Sequence, residues 1–224
     1  MSLSEFYQSE RLLLDKLTKE VVAKVCLIIG SSDRSLLAST NEQFIYTGSF
    51  FHNQQNPTDG IFSPEHLPFK ENTLDLLVLY HVFPMFKFPG KVLQEAFFSL
   101  KEGGRLVISH ANPKNIIAEE AVIKQFREQG VAAEQLVYHH HSLRRVTESL
   151  KLQGFSYVNI EALVPDNALK RLFCSLLPQL VLGWLIVYEK QAIPLTPFGE
   201  RERVEVLKNK YIVNAATMNQ YKEK

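Results

Sequence analysis

A chain of 224 residues, 46% hydrophobic and 22% charged, has the size and make-up of one globular domain, which excludes a disordered chain. Its 25 Lys and Arg against 24 Asp and Glu leave a net charge of +1 and so no global electrostatic footprint for nucleic acid. No nucleic-acid partner is therefore expected.

The chain opens on an amphipathic helix over 4–20, with Phe6, Leu13, Leu14 and Leu17 at helical spacing. VAKVCLIIG (22–30) is a continuous apolar run ending in Gly, the form of a strand buried on both faces. FIYTGSF (44–50), LDLLVLYHV (74–82) and RLVISH (105–110) are further strands, the last launched from a turn at Lys101, Glu102, Gly103 and Gly104. Between the last two lies a helix over 89–101, its stripe made by Val92, Leu93, Ala96, Phe97 and Leu100. Helices follow over 113–129 and 142–153, the second stopped by Gly154. Strands over 156–164 and 183–191 flank a helix over about 167–177. Strands alternating with helices imply a mostly parallel sheet covered on both faces, although the last two strands are also free to pair antiparallel. A domain over 1–198 is expected, followed by a charged extension over 199–224 (GERERVEVLKNK and onward).

Cys26 and Cys174 sit in apolar surroundings and read as buried thiols, with no disulfide or metal spacing. The N-terminus lacks the pattern of a secretory signal, and the longest apolar stretch, 176–188, is interrupted by Pro178, Gln179 and Gly183 and is too short to span a bilayer. The expected location is the cytoplasm, without a transmembrane segment.

Ligands of open parallel sheets bind outside the carboxyl ends of the strands. That directs attention to Gly30 to Asp33, Gly48 to Phe50, Tyr80 and His81, and His110 to Pro113. Over 66–109, HLPFKENTLDLLVLYHVFPMFKFPGKVLQEAFFSLKEGGRLVIS places in order Leu-Pro-Phe, a Leu-Asp strand opening, a post-strand His, a helix with Glu95, then Leu-Lys-x-Gly-Gly-Arg-Leu and a strand. This ordered set resembles the class I S-adenosylmethionine (SAM) dependent methyltransferases of the small-molecule type, such as the ubiquinone and menaquinone pathway enzymes. The resemblance implies a Rossmann-like fold, with a mostly parallel seven-stranded sheet and helices on both faces. It also implies SAM as cofactor and methyl transfer to a small acceptor.

The donor site implied by the resemblance comprises Gly30, Ser31, Ser32, Asp33, Gly48, Ser49, Ser63, Pro64, Glu65 and Tyr80. The family pattern is departed from in three places. The turn after the first strand has one glycine where the family has several. The second strand ends in Gly48, Ser49 and Phe50, not in a ribose-binding carboxylate, and Asp59 lies far along the chain from that position. Ser63 stands where the family has an acidic residue, with Glu65 two residues on. These departures keep a second reading open, a methyltransferase-like protein without catalysis that acts as a binding or regulatory partner. A nucleotide-binding dehydrogenase is disfavoured by the lack of G-x-G-x-x-G after the first strand.

His81, following its strand, is the candidate catalytic residue; it is expected either to act as base or hydrogen-bond to an acceptor, or to pack against backbone. Phe83, Phe86 and Phe88 fall in an apolar loop after that strand and suggest an apolar or aromatic acceptor, the alternative being that they pack beneath the next helix. Asn112 is expected to line the acceptor pocket or to cap the following helix. Asp75 is expected to be structural, at the far end of the sheet. The run His139, His140 and His141 reads as a solvated lead-in, because adjacent side chains point apart and make a poor ligand set. Oligomeric state is not legible.

Overall fold

The computed structural model describes residues 3–19, 21, 23–31, 33–37, 44–49, 58–132, 134, 136–164 and 181–191. The helix expected over 167–177, the extension over 199–224, Cys174, Ser32 and Phe50 lie outside them.

Helix α1 (Leu3–Thr18) precedes strand β1 (Val25–Ile29), a short 3-10 turn (Arg34–Leu37), β2 (Phe44–Ser49), β3 (Gly60–Ile61) and β4 (Leu74–Tyr80). A second 3-10 turn (Phe83–Met85) leads to α2 (Gly90–Ser99) and β5 (Leu100–Ala111). Then come α3 (Ile116–Glu128), α4 (Leu143–Leu152), β6 (Phe155–Leu163) and β7 (Gly183–Lys190).

The seven strands form one sheet in the order β3-β2-β1-β4-β5-β7-β6. The pairs β1–β2, β1–β4, β2–β3 and β4–β5 are parallel, whereas β7 runs antiparallel to both β5 and β6. The antiparallel option for the last two strands is the one adopted. From β1 the chain builds outward to β3, then returns to lay β4 on the other side. The reversal therefore falls between β1 and β4, and in sheets of this kind ligands bind at the carboxyl ends beside it.

The period of two in the strands sorts side chains between two packed layers. Leu27 and Ile29, Leu77 and Leu79, Leu106 and Ile108, and Ile186 and Tyr188 meet α2 and α4 through Val92, Leu93, Ala96, Val146 and Leu150. Cys26 and Ile28, Leu76 and Val78, Val107, Leu185 and Val187 pack on the opposite face with Leu14 of α1. Burial on both faces explains why these strands read as continuous apolar runs.

Helix ends follow local chemistry. The Asn115 side chain accepts from Ala118 N at 3.2 Å and the Ser142 side chain accepts from Arg145 N at 3.3 Å, which satisfies first-turn donors. Asp75, at the opposite edge from the crevice, accepts from Lys24 N, Val25 N and Lys101 Nζ, which fits its expected structural role.

Two details differ from expectation. The segment expected as a turn at residues 101–104 is carried inside β5: Leu74 pairs with Leu100 and Leu76 with Arg105, so four residues of β5 stand opposite one of β4. The strand β3 has no apolar run to announce it. Among the described residues, no helix is long and apolar enough to cross a membrane.

Candidate functional site

At the carboxyl end of β1, Gly30 adopts φ +93°, and a Cβ there would fall inside the van der Waals shell of the Tyr80 carbonyl oxygen. Glycine is thus required to seat the β1 turn against the end of β4. The Gly30 carbonyl accepts from Gln125 Nε2 of α3 at 3.1 Å and from Nε2 of Gln129, the C-cap of that helix, at 3.0 Å. Ser31 Oγ accepts from Asp33 N at 3.1 Å, and Asp33 Oδ1 accepts from Ser35 N at 2.9 Å, so the turn is braced by its own side chains.

At the end of β2, the ring of Phe62 lies over Gly48 so closely that a Cβ on Gly48 would overlap it. Ser49 beside it is buried. Asp59 is brought closer than its chain distance suggests. The β2–β3 pairing carries it back beside Thr47, where it accepts from Thr47 N at 2.7 Å and Thr47 Oγ1 at 3.0 Å, and it pairs with Arg34. Both of its oxygens are thus already engaged. Ser63 Oγ accepts from Glu65 N at 3.2 Å; Pro64 is buried and Glu65 half-buried.

The ends of β4 and β5 centre on a residue that sequence reasoning missed. Glu10 of α1 is fully buried and takes donors from two strand ends. Tyr80 Oη donates to Glu10 Oε2 at 2.6 Å, Ser109 Oγ donates to Oε1, and His81 Nε2 lies 3.1 Å from Oε1 and 3.2 Å from Oε2. Burial pushes the Glu10 carboxyl up, but the pull of His81 and the hydrogen bonds from His81, Ser109 and Tyr80 outweigh it, so the group stays below its ordinary range and ionised. Burial and the Glu10 charge raise the Tyr80 phenol well above its usual value, keeping it a donor. His81 has φ +53°, a left-handed conformation uncommon outside glycine, and its ring stacks on Phe6 at 5.9 Å. A signal for Glu10 was present: positions 6, 10, 14 and 18 recur every four residues, and all four are buried, so a carboxylate stood on the apolar stripe of α1.

The aromatic loop is divided. Phe83 is 1% exposed and belongs to the core, so it is not a pocket-rim residue; Phe86 is partly buried against the same core, and Phe88 is 64% exposed. Asn112 does not line an open pocket either. It is buried, with Nδ2 donating to Val181 O at 2.7 Å and Oδ1 accepting from Lys114 N at 3.1 Å, while Asn115 takes the capping role.

The histidine run is not wholly solvated. His141 is buried and its Nε2 lies 2.8 Å from Phe86 O, while His139 N donates to Pro84 O at 2.7 Å, so this segment clasps the loop. His110 Nε2 donates to His141 O at 2.7 Å and its ring stacks on Trp184.

Residues 51–108 match the model of a family described as "Methyltransferase domain". The crystal structure of an S-adenosylmethionine dependent methyltransferase from Mesorhizobium loti superposes with a TM-score of 0.59 at 14% identity, covering 81% of this chain and 97% of that one. This chain has the class I methyltransferase fold. A Listeria monocytogenes structure gives 0.61 at 11% identity, covering 83% and 100%. An uncharacterized protein of Escherichia coli K12, YafS, is 30% identical over 141 residues, 59% of this chain. The match spans about half, 55%, of that relative's length. On the class I methyltransferase fold, Gly30, Ser49, Tyr80 and His81 all stand at the carboxyl edge of adjacent strands, around the reversal between β1 and β4.

Proposed function

We propose that the chain is an S-adenosylmethionine-dependent methyltransferase acting on a small, apolar or aromatic acceptor. The observation that carries this reading is the close approach of Gly30 to the Tyr80 carbonyl, which seats the β1 turn against the end of β4, a strand inside the segment matched to methyltransferase domains.

The remaining groups at this corner suit the cofactor. Ser31, Ser49, Asp33 and Glu65 offer hydroxyls and carboxylates, the chemistry that ribose hydroxyls and an ammonium call for, although the glycine cradle of the family is reduced to Gly30. In this reading Ser31, Ser32, Asp33, Gly48, Ser49, Ser63, Pro64, Glu65 and Tyr80 would hold the donor. When bound, the cofactor supplies an electrophilic methyl on a sulfonium, whose carbon–sulfur electron pair stays on sulfur as the methyl leaves.

What remains for the protein is alignment and exclusion of water. His81, the candidate base, is buried with Nε2 on the Glu10 carboxylate, so it reaches an acceptor only where that carboxylate gives way. Phe86 and Phe88 supply the apolar contact surface.

Calorimetry with SAM and with S-adenosylhomocysteine tests the reading. The wild type binds weakly, for want of a ribose carboxylate. Ser49→Asp tightens binding about ten-fold or more, the effect of about 1.5–3 kcal/mol for a charged hydrogen bond. Ser32→Leu blocks binding while the protein stays folded. No heat from either ligand, in wild type and in Ser49→Asp alike, refutes methyl transfer.

A further inference from the structure

The carboxyl ends of β4 and β5 each contribute to one buried polar cluster. Tyr80 closes β4, His81 follows it, and Ser109 lies near the end of β5, directly paired with Tyr80 in the sheet. Their side chains converge on one carboxylate, that of Glu10. Three donors arranged around a carboxylate, at the sheet edge where ligands bind, make an anion receptor. The carboxylate that fills it comes from a helix and not from the sheet.

Two further observations separate this cluster from a simple helix tether. Glu10 occupies a position on the α1 stripe flanked by Phe6 and Leu14, where an apolar side chain would seat the helix without the desolvation of an ion. His81 is held at φ +53°, and its Nδ1 is buried with no hydrogen-bond partner among the described residues. Strained backbone and an unsatisfied buried polar atom cluster at binding sites, where a ligand uses them.

We propose that Tyr80, His81 and Ser109 form a carboxylate receptor in which Glu10 is the resident occupant, displaced when a small molecule presents its own carboxylate. The proposal rests on the reading of this edge as the ligand site of the fold. Helix α1 is then a latch: Arg11, which hydrogen-bonds Ser35 and lies 3.9 Å from Asp33, ties it to the donor turn, and Tyr7 ties it to α3 through the Ala121 carbonyl. The incoming carboxylate belongs either to the methyl acceptor or to the methionine end of the donor.

Benzoate, titrated by calorimetry, is the probe. Glu10→Gln binds benzoate at least ten-fold more tightly than wild type, because a neutral amide is the weaker competitor for three donors. Adding Ser109→Ala to Glu10→Gln removes that gain. A folded Glu10→Gln that binds benzoate no more tightly than wild type overturns the proposal. Should that variant fail to fold, hydrogen exchange of the wild type decides: benzoate accelerates exchange across α1 if it unseats Glu10, and unchanged exchange overturns the proposal. Repeating the Glu10→Gln titration with saturating SAM separates the sources. A gain that persists assigns the receptor to the acceptor, and a gain that SAM abolishes assigns it to the donor's own carboxylate. Absence of SAM binding in wild type with the benzoate gain intact would refute methyl transfer and leave the receptor standing.

Discussion

His110 gives the structure a measurable dependence on pH. It pairs with Trp184 across β5 and β7, is 1% exposed, and stacks on that indole with its centroid 6.2 Å away. Because the His141 carbonyl can only accept, Nε2 carries the proton, and Nδ1 is left bare and buried without a partner among the described residues. Protonating Nδ1 would put a second N–H where nothing described receives it. Burial accordingly pushes the imidazole down from 6.5 to about 4, against a smaller upward pull from the His141 carbonyl. The unfolded chain takes up this proton as pH falls through about 6.5, whereas the folded protein waits until about 4, so stability is complete above the first value and falls between the two. At about 1.4 kcal/mol per pH unit, the gap comes to about 3 kcal/mol. His110→Gln keeps a donor for the His141 carbonyl and cannot titrate. Urea unfolding of both proteins, from about pH 7.5 to about pH 4, should show wild type losing about 3 kcal/mol more than the variant. Glu10 and His141 titrate in both and largely cancel. A wild type–variant difference that stays constant to within about 0.5 kcal/mol across that range refutes the argument.

Two further substitutions test how the site is framed. Gly30→Ala should lower unfolding free energy by about 2 kcal/mol or more, from left-handed strain and contact with the Tyr80 carbonyl, and a variant as stable as wild type would show that the turn relaxes freely. Phe83→Ala should cost about 3–5 kcal/mol as a core deletion, whereas Phe88→Ala should stay within about 0.5 kcal/mol; equal losses would contradict the division of the loop between core and surface.

The strands were legible because burial on both faces leaves apolar runs with little polar interruption, as in β1, β4 and β7. Strand β3 was not, since two residues, Gly60 and Ile61, carry no periodicity. The insertion of β7 between β5 and β6 depends on pairing across the sheet, which no local pattern encodes. The strand-end places of Gly30, Tyr80 and His81 followed from topology alone. Those that depend on a distant segment did not: Glu10 meets partners 70, 71 and 99 residues away, and Asp59 folds back over 12 residues to Thr47. His141 was misjudged because a polar run suggests water, yet a carbonyl acceptor such as Phe86 O lets an imidazole sit inside.

The long reach of Glu10 bears on how the chain assembles during synthesis. The hydroxyl of Ser109 that completes the socket of α1 is made 99 residues after Glu10. Until then the sheet covers that helix only in part, and some of its apolar stripe is exposed to other chains or to chaperones. Closing so long a loop is slow, so docking of the first helix belongs to the late steps of folding, after β4 and β5 have paired. Helix α1 is therefore synthesised well before the socket that holds it is complete.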